Sequence, residues 1–401
     1  MKFKLVYVLL SILISAGAFA QEEKKETSGP EGYKFEMIKK LPATSVKDQY
    51  RSGTCWSFSG LSFLESELLR MDKGEFDLSD MFIVRQAYSV KAKRAVRMHG
   101  NLNFGGGGAF HDVTLVWDEF GIVPEEAYPG LEIGEEKQVH GEMDAILDNY
   151  IEGVIKNKNK KLTPVWHKAF DNILDAYLGD YPENFNYKGK EYTPQSFAKE
   201  LGLDMNDYVE ISSYTHHPFY ETFIIEVPDN WAWGEVYNVP MDEMMEIVDY
   251  SIDKGYTVAW ASDVSEKGFA YRKGIAVVPE ANTEEMNDSE MLKWQEMSKK
   301  EKQAQLYKFD KPGHEKTITQ EMRQEAFDNY QTTDDHGMHI VGTAKDQNGA
   351  KYYYVKNSWA ESNLYDGYFY ASVPFVQYKT MCIMVHKNAI PKKIKKKLGL
   401  K

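Results

Sequence analysis

The amino-acid sequence predicts an α+β protein: a helical N-terminal half, an antiparallel β C-terminal half and a large, mainly helical stretch between them. Apolar side chains recur at helical spacing directly after Cys55, which indicates a buried helix near the start of the chain. Beyond residue 331, three apolar runs separated by turn residues predict a small antiparallel sheet. With 42% hydrophobic and 13% aromatic residues among 401, the chain has ample material for a folded core.

Residues 1–20 have the pattern of an export leader. Two lysines near the start precede the apolar run Leu5–Ile14, and Ala18-Phe19-Ala20 fits a cleavage site before Gln21. The apolar run is shorter than the ~20 residues that span a bilayer. We therefore expect an exported protein, periplasmic or secreted, with no membrane span once the leader is removed.

We expect the rest of the chain to divide into five parts. These are a flexible lead-in (21–35), an N-terminal half with the cysteine-bearing helix (36–135), a mainly helical insertion (136–330), a C-terminal β half (331–386) and a basic C-terminal segment (387–401).

The formal charge of −13 argues against a broad nucleic-acid-binding face, and we expect no nucleic-acid partner. The basic C-terminal segment runs against this trend. Ile390, Ile394 and Leu398 recur every four residues in it, which predicts a short amphipathic helix with a solvated basic face. Binding of an acidic surface through its lysines is the alternative.

The stretch around Cys55 predicts a nucleophile. A thiol in the first turn of a helix meets unpaired N–H groups and the positive end of the helix dipole, which lower its pKa and favour the reactive thiolate. Gln49, six residues upstream, is suited to donate its side-chain N–H₂ to an oxyanion. Cys55 alone also fits an inert core cysteine. A disulfide with Cys382 is a further alternative in an oxidising compartment.

Two downstream segments supply partners for such a thiol. His336 stands beside a glycine at the start of an apolar strand, and Asn357 is suited to accept its ring N–H and fix its orientation. Trp359 would shield that bond from water. A histidine of ordinary pKa can take the thiol proton and return it to a leaving amine. His339 is a rival histidine, which we interpret as a bystander.

The run Gly105–Gly108 lets the backbone approach a ligand closely, although a flexible turn is an equal interpretation. It lacks the lysine and serine of a phosphate-binding loop. Neither cysteine has a partner at metal-ligand spacing, and His216 and His217 are adjacent in sequence. We expect neither a metal nor a cofactor.

Together these segments resemble the papain-type cysteine peptidases, and most closely their bleomycin hydrolase and aminopeptidase C branch. The order Gln49, Cys55, His336, Asn357 is the order of that family. Papain-like chains place the histidine about 130–150 residues after the cysteine. The much longer separation here matches the insertion of that branch, so the resemblance implies a papain-like fold with a large insertion.

The resemblance implies a role for each motif residue. Cys55 would be the nucleophile, His336 the general base and acid, Asn357 its orienting group, Gln49 with the Cys55 N–H the oxyanion hole, Gly107 and Gly108 the partners of the substrate backbone, and Trp56 and Trp359 supporting residues.

The resemblance also implies peptide substrates, aminopeptidase activity and a homo-oligomer, a hexameric ring in that branch. In the branch, a C-terminal arm binds the free amine of the substrate, whereas this sequence closes with Gly399-Leu400-Lys401. A papain-like endopeptidase or a dipeptidase therefore stays an alternative. A non-catalytic peptide-binding protein on the same scaffold is the alternative of another class.

Overall fold

The computed structural model describes residues 32–400, so the predicted leader and most of the lead-in lie outside the described residues. The described part forms twelve α-helices and thirteen β-strands. The helices are α1 (Cys55–Arg70), α2 (Asp80–Arg97), α3 (Phe110–Phe120), α4 (Gly141–Ile155), α5 (Val165–Leu178), α6 (Pro194–Leu201), α7 (Met241–Lys254), α8 (Asp288–Glu296), α9 (Lys299–Leu306), α10 (Gln320–Asp328), α11 (Val373–Lys379) and α12 (Lys392–Lys397). The strands are β1 (Phe35–Lys40), β2 (Phe185–Tyr187), β3 (Lys190–Tyr192), β4 (Tyr208–Ser212), β5 (Thr222–Ile224), β6 (Glu235–Asn238), β7 (Val258–Ser262), β8 (Phe269–Ala270), β9 (Ile275–Ala276), β10 (His336–Asp346), β11 (Lys351–Lys356), β12 (Tyr368–Ser372) and β13 (Thr380–His386).

Eleven strands form one sheet in the order β5-β6-β4-β13-β7-β10-β11-β12-β9-β8, with β1 paired to β10. Only the β4–β6 and β9–β12 pairs in it are parallel. The sheet is larger than the predicted C-terminal one. One additional strand, β1, comes from the start of the chain and the others come from its middle; several are only two to four residues long, too short for a clear alternating pattern.

Helix α1 is buried along almost its whole length, as its dense apolar pattern predicts. It lies against β10 and β7 on one side and against α2 and α3 on the other. Gly60 permits the close approach of α3, because a Cβ at this position would stand 2.8 Å from the Val113 side chain. The start of α1 is therefore fixed between the sheet and the helical layer.

A buried polar network ties the segment before α1 to the helix itself. Glu65, which is fully buried in α1, accepts hydrogen bonds from the Thr44 hydroxyl at 2.5 Å and from the Leu78 N–H at 2.9 Å. Lys47 forms an ion pair with Asp80 at 2.9 Å. Because buried charges cost free energy unless they are paired, these contacts fix the loop that leads to Gln49.

The middle of the chain belongs to the central sheet as well as to the outer helices. Residues 136–330 supply α4–α10, as the prediction of a mainly helical stretch requires, but also β4–β9. At the other end of the chain Ile390, Ile394 and Leu398 are buried, and Ile394 lies in the short basic helix α12. No helix within residues 32–400 has both the length and the apolar composition to cross a membrane.

Candidate active site

The sheet brings distant residues together at one of its ends. His336 begins β10 and Asn357 directly follows β11, and these neighbouring strands are antiparallel, so both residues lie at the same end. On the other side of β10, Ala261 of β7 pairs with both Gly337 and Cys382. The register therefore places Cys382 at the same end, two strands from the histidine.

A cavity of about 250 Å³ opens between this end of the sheet and the start of α1. Seven of the eight residues predicted for the site line it, and Asn357 lies behind His336. The seven are Gln49, Cys55, Trp56, Gly107, Gly108, His336 and Trp359.

Cys55 is the first residue of α1 and is partly exposed to the cavity. Thr54 occupies the N-cap position, yet its hydroxyl pairs with Ser52 Oγ at 2.5 Å instead of capping the helix. The backbone N–H groups of Trp56 and Gly337 point at the Cys55 sulfur. Both cysteines are free thiols, so the disulfide alternative is wrong.

The His336 ring has a defined tautomer. Its Nε2 lies 2.7 Å from Asn357 Oδ1, which also accepts the Ser358 N–H at 2.8 Å. Since a backbone N–H can only donate, that atom is the amide oxygen, and Nε2 carries the proton. Nδ1 is therefore the basic nitrogen. The Trp359 ring stacks on the imidazole with centroids 4.6 Å apart and shields the Asn357 bond.

Burial shifts both titrating groups toward their neutral forms. It raises the pKa of the Cys55 thiol to about 12, although the N–H groups of Gly337 and Trp56 oppose the shift. It lowers the pKa of His336 to about 4, against the opposing hydrogen bond to Asn357. The expectation of a lowered thiol pKa is therefore wrong, because removal of the thiolate from water outweighs the helix N-terminus. The resting pair is a neutral thiol and a neutral imidazole.

Gln49 is oriented by a residue that sequence reasoning did not select. The Ser358 hydroxyl donates to Gln49 Oε1 at 2.7 Å, and the Gln49 N–H donates to the Ser358 carbonyl at 2.9 Å. With its oxygen held in this way, the side-chain amide has its N–H₂ group left for the cavity. Ser358 could have been selected from the sequence, because it lies between the predicted site residues Asn357 and Trp359.

The glycine run packs too closely for side chains. A Cβ at Gly108 would lie 2.8 Å from the Trp56 ring, and a Cβ at Gly107 would collide with the Asp229 carboxylate. Trp56 Nε1 donates to the Gly106 carbonyl at 2.9 Å, which joins the run to α1. Of the two interpretations of the run, close approach within a packed wall describes it better than a flexible turn does.

The far end of the cavity contains polar residues that the sequence did not suggest. His111 Nδ1 lies 2.9 Å from Glu210 Oε1, and the Cys382 thiol donates to the other Glu210 oxygen at 3.4 Å. Burial lowers the pKa of His111, but the Glu210 carboxylate more than offsets it and raises the pKa to about 9. Asp229 and Asp334 also line the cavity. Strand register and loop packing bring the group together, so no local motif marks it.

Two other histidine sites lie apart from this cavity. His339 Nδ1 pairs with Ser62 Oγ at 2.9 Å beneath α1, away from the cavity that Cys55 lines. His216 and His217 both bind the exposed Glu226, a grouping that resembles a metal site. However, Gln324 Nε2 donates to His216 Nδ1, so the His216 proton occupies Nε2, where a metal would bind. We assign no metal to this cluster.

Comparisons with known proteins agree with this architecture. A model of the peptidase C1-like family matches residues 8–303 and 289–400. Aminopeptidase G of Lactobacillus delbrueckii subsp. lactis is 21% identical over 88% of this chain and 83% of its own length. Aminopeptidase C of Streptococcus thermophilus is 23% identical over 87% of this chain and 81% of its own.

The crystal structure of PepW from Lactobacillus rhamnosis HN001 shares the fold, with a TM-score of 0.67 at 18% identity over 91% of this chain and 84% of that one. The fold is thus papain-like α+β, as the sequence predicts. The family match spans nearly the whole chain. This chain therefore belongs to the peptidase C1-like family, the papain-like cysteine peptidases.

Proposed function

We propose that the protein hydrolyses peptides with Cys55 as nucleophile, His336 as general base and acid, and Asn357 as the group that orients the imidazole. The observation that carries the proposal is the cavity wall shared by Cys55 and His336, together with the Asn357 bond that leaves His336 Nδ1 free to accept a proton. Thiol, imidazole and carboxamide are the parts of an activated nucleophile.

The chemistry begins from a neutral pair. As the Cys55 sulfur attacks the scissile carbonyl carbon, its proton passes to His336 Nδ1. The carbonyl oxygen becomes an oxyanion, which the Gln49 N–H₂ and the Cys55 N–H stabilise. The imidazolium then gives its proton to the leaving amine, and a thioester remains on Cys55. Water, deprotonated by His336, hydrolyses the thioester and restores the thiol.

The test is Cys55→Ala assayed on aminoacyl and peptidyl amides of 7-amino-4-methylcoumarin. We expect kcat/KM to fall at least about a thousandfold, because the covalent step is lost. Cys382→Ser is the matched control, since it changes the other thiol of the same cavity. Retained hydrolysis in a folded Cys55→Ala protein would falsify the proposal, and would favour the peptide-binding alternative if the wild type is also inactive.

Within this activity we propose the aminopeptidase mode, which the names of the relatives support: they are aminopeptidases C and G. The papain-like endopeptidase or dipeptidase mode is the alternative. A peptide with a free N-terminus should be cut much faster than its acetylated form. Equal rates on the two would establish the endopeptidase mode instead.

We also propose that the protein is exported, on the strength of the leader pattern in residues 1–20, which lie outside the described part of the chain. N-terminal sequencing of protein from the periplasm or medium should begin at Gln21. An uncleaved protein confined to the cytoplasm would contradict this. A homo-oligomer, hexameric by resemblance, stays a prediction for analytical ultracentrifugation.

A further inference from the structure

The cavity carries negative charge that the proposed mechanism does not use. Asp229, Asp334 and Glu210 all line the cavity that contains Cys55. Glu210 is already compensated, because His111 holds a positive charge against it at 2.9 Å. The two aspartates are compensated less directly: neither forms an ion pair within 4.0 Å among residues 32–400, and the longer-range attraction of Lys91 to Asp229 and of His111 to Asp334 opposes their charge.

Asp229 stands directly over the glycine run. Its carboxylate occupies the space next to Gly107 that a side chain would otherwise fill. Asn103 Nδ2 donates to Asp229 Oδ1 at 2.8 Å and fixes the carboxylate in place. The nearby Lys91 ammonium donates to the carbonyl oxygens of Gly105 and Gly107, at 2.7 and 2.5 Å. The second carboxylate oxygen of Asp229 therefore remains available to the cavity.

Asp334 lines the same cavity and is near enough to Asp229 to be affected by its charge. Burial, followed by the negative charges of Asp229 and Asp335, raises the pKa of Asp334 to about 7, although His111 opposes the shift. A cation between two carboxylates removes the repulsion that disfavours the ionised form. The cavity thus favours a positively charged group between Asp229 and Asp334.

The neighbouring backbone indicates which part of a substrate lies here. Within the described residues, the N–H and C=O of Gly108 have no hydrogen-bond partner, although Gly108 lines the cavity. A peptide held for attack by Cys55 can pair its backbone with these free groups. Its acyl portion then runs past Gly107 toward Asp229. The group that ends this portion in an unblocked peptide is the α-ammonium.

We propose that Asp229, with Asp334 lining the same cavity, binds the α-ammonium of the substrate's N-terminal residue and is the specificity-determining residue for unblocked peptides. The assignment rests on the proposed peptidase function and names the residues that would set its exopeptidase mode. An ammonium–carboxylate hydrogen bond in a partly desolvated site is charge-assisted, and its loss costs about 10- to 100-fold in binding.

The test compares wild type with Asp229→Asn on four coumarin amides: alanyl, alanyl-alanyl, and the N-acetyl form of each. Asparagine keeps the shape of aspartate and can still accept from Asn103, so the variant should fold. We expect kcat/KM on the better free-amine substrate to fall about 10- to 100-fold, mainly through KM. The acetylated substrates should change less than about threefold. The better free-amine substrate also shows whether one or two residues fit before the scissile bond.

Two controls separate the possible outcomes. Glu226→Gln removes a carboxylate from the same segment but outside the cavity, and should leave all four rates unchanged. An added substrate, acetyl-lysyl-alanyl coumarin amide, offers a side-chain ammonium in place of the α-ammonium. If Asp229→Asn lowers only the rate on this substrate, the subsite binds basic side chains and the assignment is overturned.

The remaining outcomes distinguish a structural role of Asp229, failure of the peptidase proposal and failure of the ammonium site alone. Equal losses on free and acetylated substrates would mean that Asp229 is only structural. If wild type hydrolyses none of the substrates, the peptidase proposal itself fails, whereas activity with an unaltered free-amine preference in Asp229→Asn overturns only the ammonium site.

Discussion

Two cysteine–histidine neighbourhoods line the same cavity, and they differ in their third member. At one end Cys55 and His336 are accompanied by the Asn357 carboxamide, which accepts the ring N–H at 2.7 Å. At the other end Cys382 and His111 both contact the Glu210 carboxylate. Thiols and imidazoles are common to the two ends, so the difference lies in the charge of the group between or behind them.

That difference decides what each imidazole can do. The hydrogen bond to the neutral Asn357 amide stabilises the protonated His336 ring less than burial destabilises it, so the pKa falls to about 4. The Glu210 carboxylate stabilises the protonated ring instead, and the pKa of His111 rises to about 9. An imidazole that is already protonated cannot accept a thiol proton. The first end is therefore equipped for proton transfer, and the second for holding charge.

The largest expected effect comes from removing the two histidines separately. His336→Gln should lower kcat/KM at least about a thousandfold with little change in the free energy of unfolding, since it removes the proposed base. His111→Gln should lower the free energy of unfolding and change activity little. It leaves buried Glu210 without its cation, which costs about 3–5 kcal/mol of stability, while activity on acetylated substrates changes only a few-fold.

Urea unfolding and coumarin release, measured on both variants, would show whether His336→Gln loses activity and His111→Gln loses stability. A large activity loss in folded His111→Gln protein would contradict the division of roles between the two ends.

The next largest effect is expected for Asn357, the group that accepts the His336 ring N–H. Asn357→Ala should lower kcat/KM about 10- to 100-fold, because the ring loses its orientation but keeps its basic nitrogen. Asn357→Asp makes the catalytic end resemble the other end. Its carboxylate should raise the pKa of His336, so the acid limb of the kcat/KM profile should move to higher pH.

A pH profile of kcat/KM from 4 to 9 on an acetylated substrate measures this shift without titrating the substrate. An unmoved acid limb in an active Asn357→Asp protein would show that the third group does not set the imidazole pKa. The Asn357 Nδ2 has no partner within the described residues, so its replacement by oxygen breaks no bond.

Stability should also depend on pH, with opposite signs for histidines whose pKa burial lowers and for His111, whose pKa is raised. Burial lowers the pKa of His336 and of His140 to about 4, so the native state binds fewer protons than the unfolded state between pH ~4 and ~6.5. Their contribution is complete above pH ~6.5 and is lost as the pH falls. His111, with its pKa raised to about 9, contributes fully below pH ~6.5 and loses its contribution as the pH rises toward 9.

Urea unfolding at pH 5, 7 and 9 should therefore give the highest stability near neutrality, with a loss on the order of 1–3 kcal/mol on the acid side. His111→Gln should remove part of the alkaline loss. An alkaline loss of the same size in that variant would show that His111 is not charged in the native protein.

The smallest effect is expected for the second thiol. Cys382→Ser should leave kcat/KM within about threefold of wild type, because a serine hydroxyl can donate to Glu210 as the thiol does. Iodoacetamide should label Cys55 before Cys382, which is buried and whose thiol pKa is raised well above its usual value by burial and by Glu210.

Because the resting pair is neutral, labelling of Cys55 should accelerate as the pH rises instead of reaching a plateau in mild acid. Peptide mapping by mass spectrometry would follow both sites. Equal labelling of the two thiols, or a plateau near pH 5, would contradict the distinction between them.

The reacting end of the cavity could be predicted because its members sit in short local patterns. Gln49 and Cys55 lie six residues apart, and Asn357 directly precedes Trp359. The end with Cys382, His111 and Glu210 could not be predicted, because Cys382 reaches the cavity only through the register of β13 on β7. A one-residue shift would turn its side chain to the other face of the sheet.

The thiol pKa was mispredicted for a related reason. The sequence shows the helix start that favours a thiolate, but not the enclosure that opposes it. The burial of Cys55 depends on how distant segments, among them residues around 229 and 334, come together around the cavity, and that is a tertiary property. The two-residue strands β8 and β9 escaped prediction for lack of length, whereas the long strands β10 and β11 were found.

Thr54 has a hydroxyl able to cap α1, but that hydroxyl is engaged by Ser52. Leaving a helix uncapped sacrifices about 1 kcal/mol of stability. In the proposed mechanism, a carbonyl oxygen that gains negative charge beside Cys55 meets the N–H of Cys55 itself, the first amide of α1, at a helix start that no side chain caps. For the lifetime of the tetrahedral adduct, the reacting peptide would supply an acceptor at this helix start, so the N-terminus of α1 would serve the reaction as well as the fold.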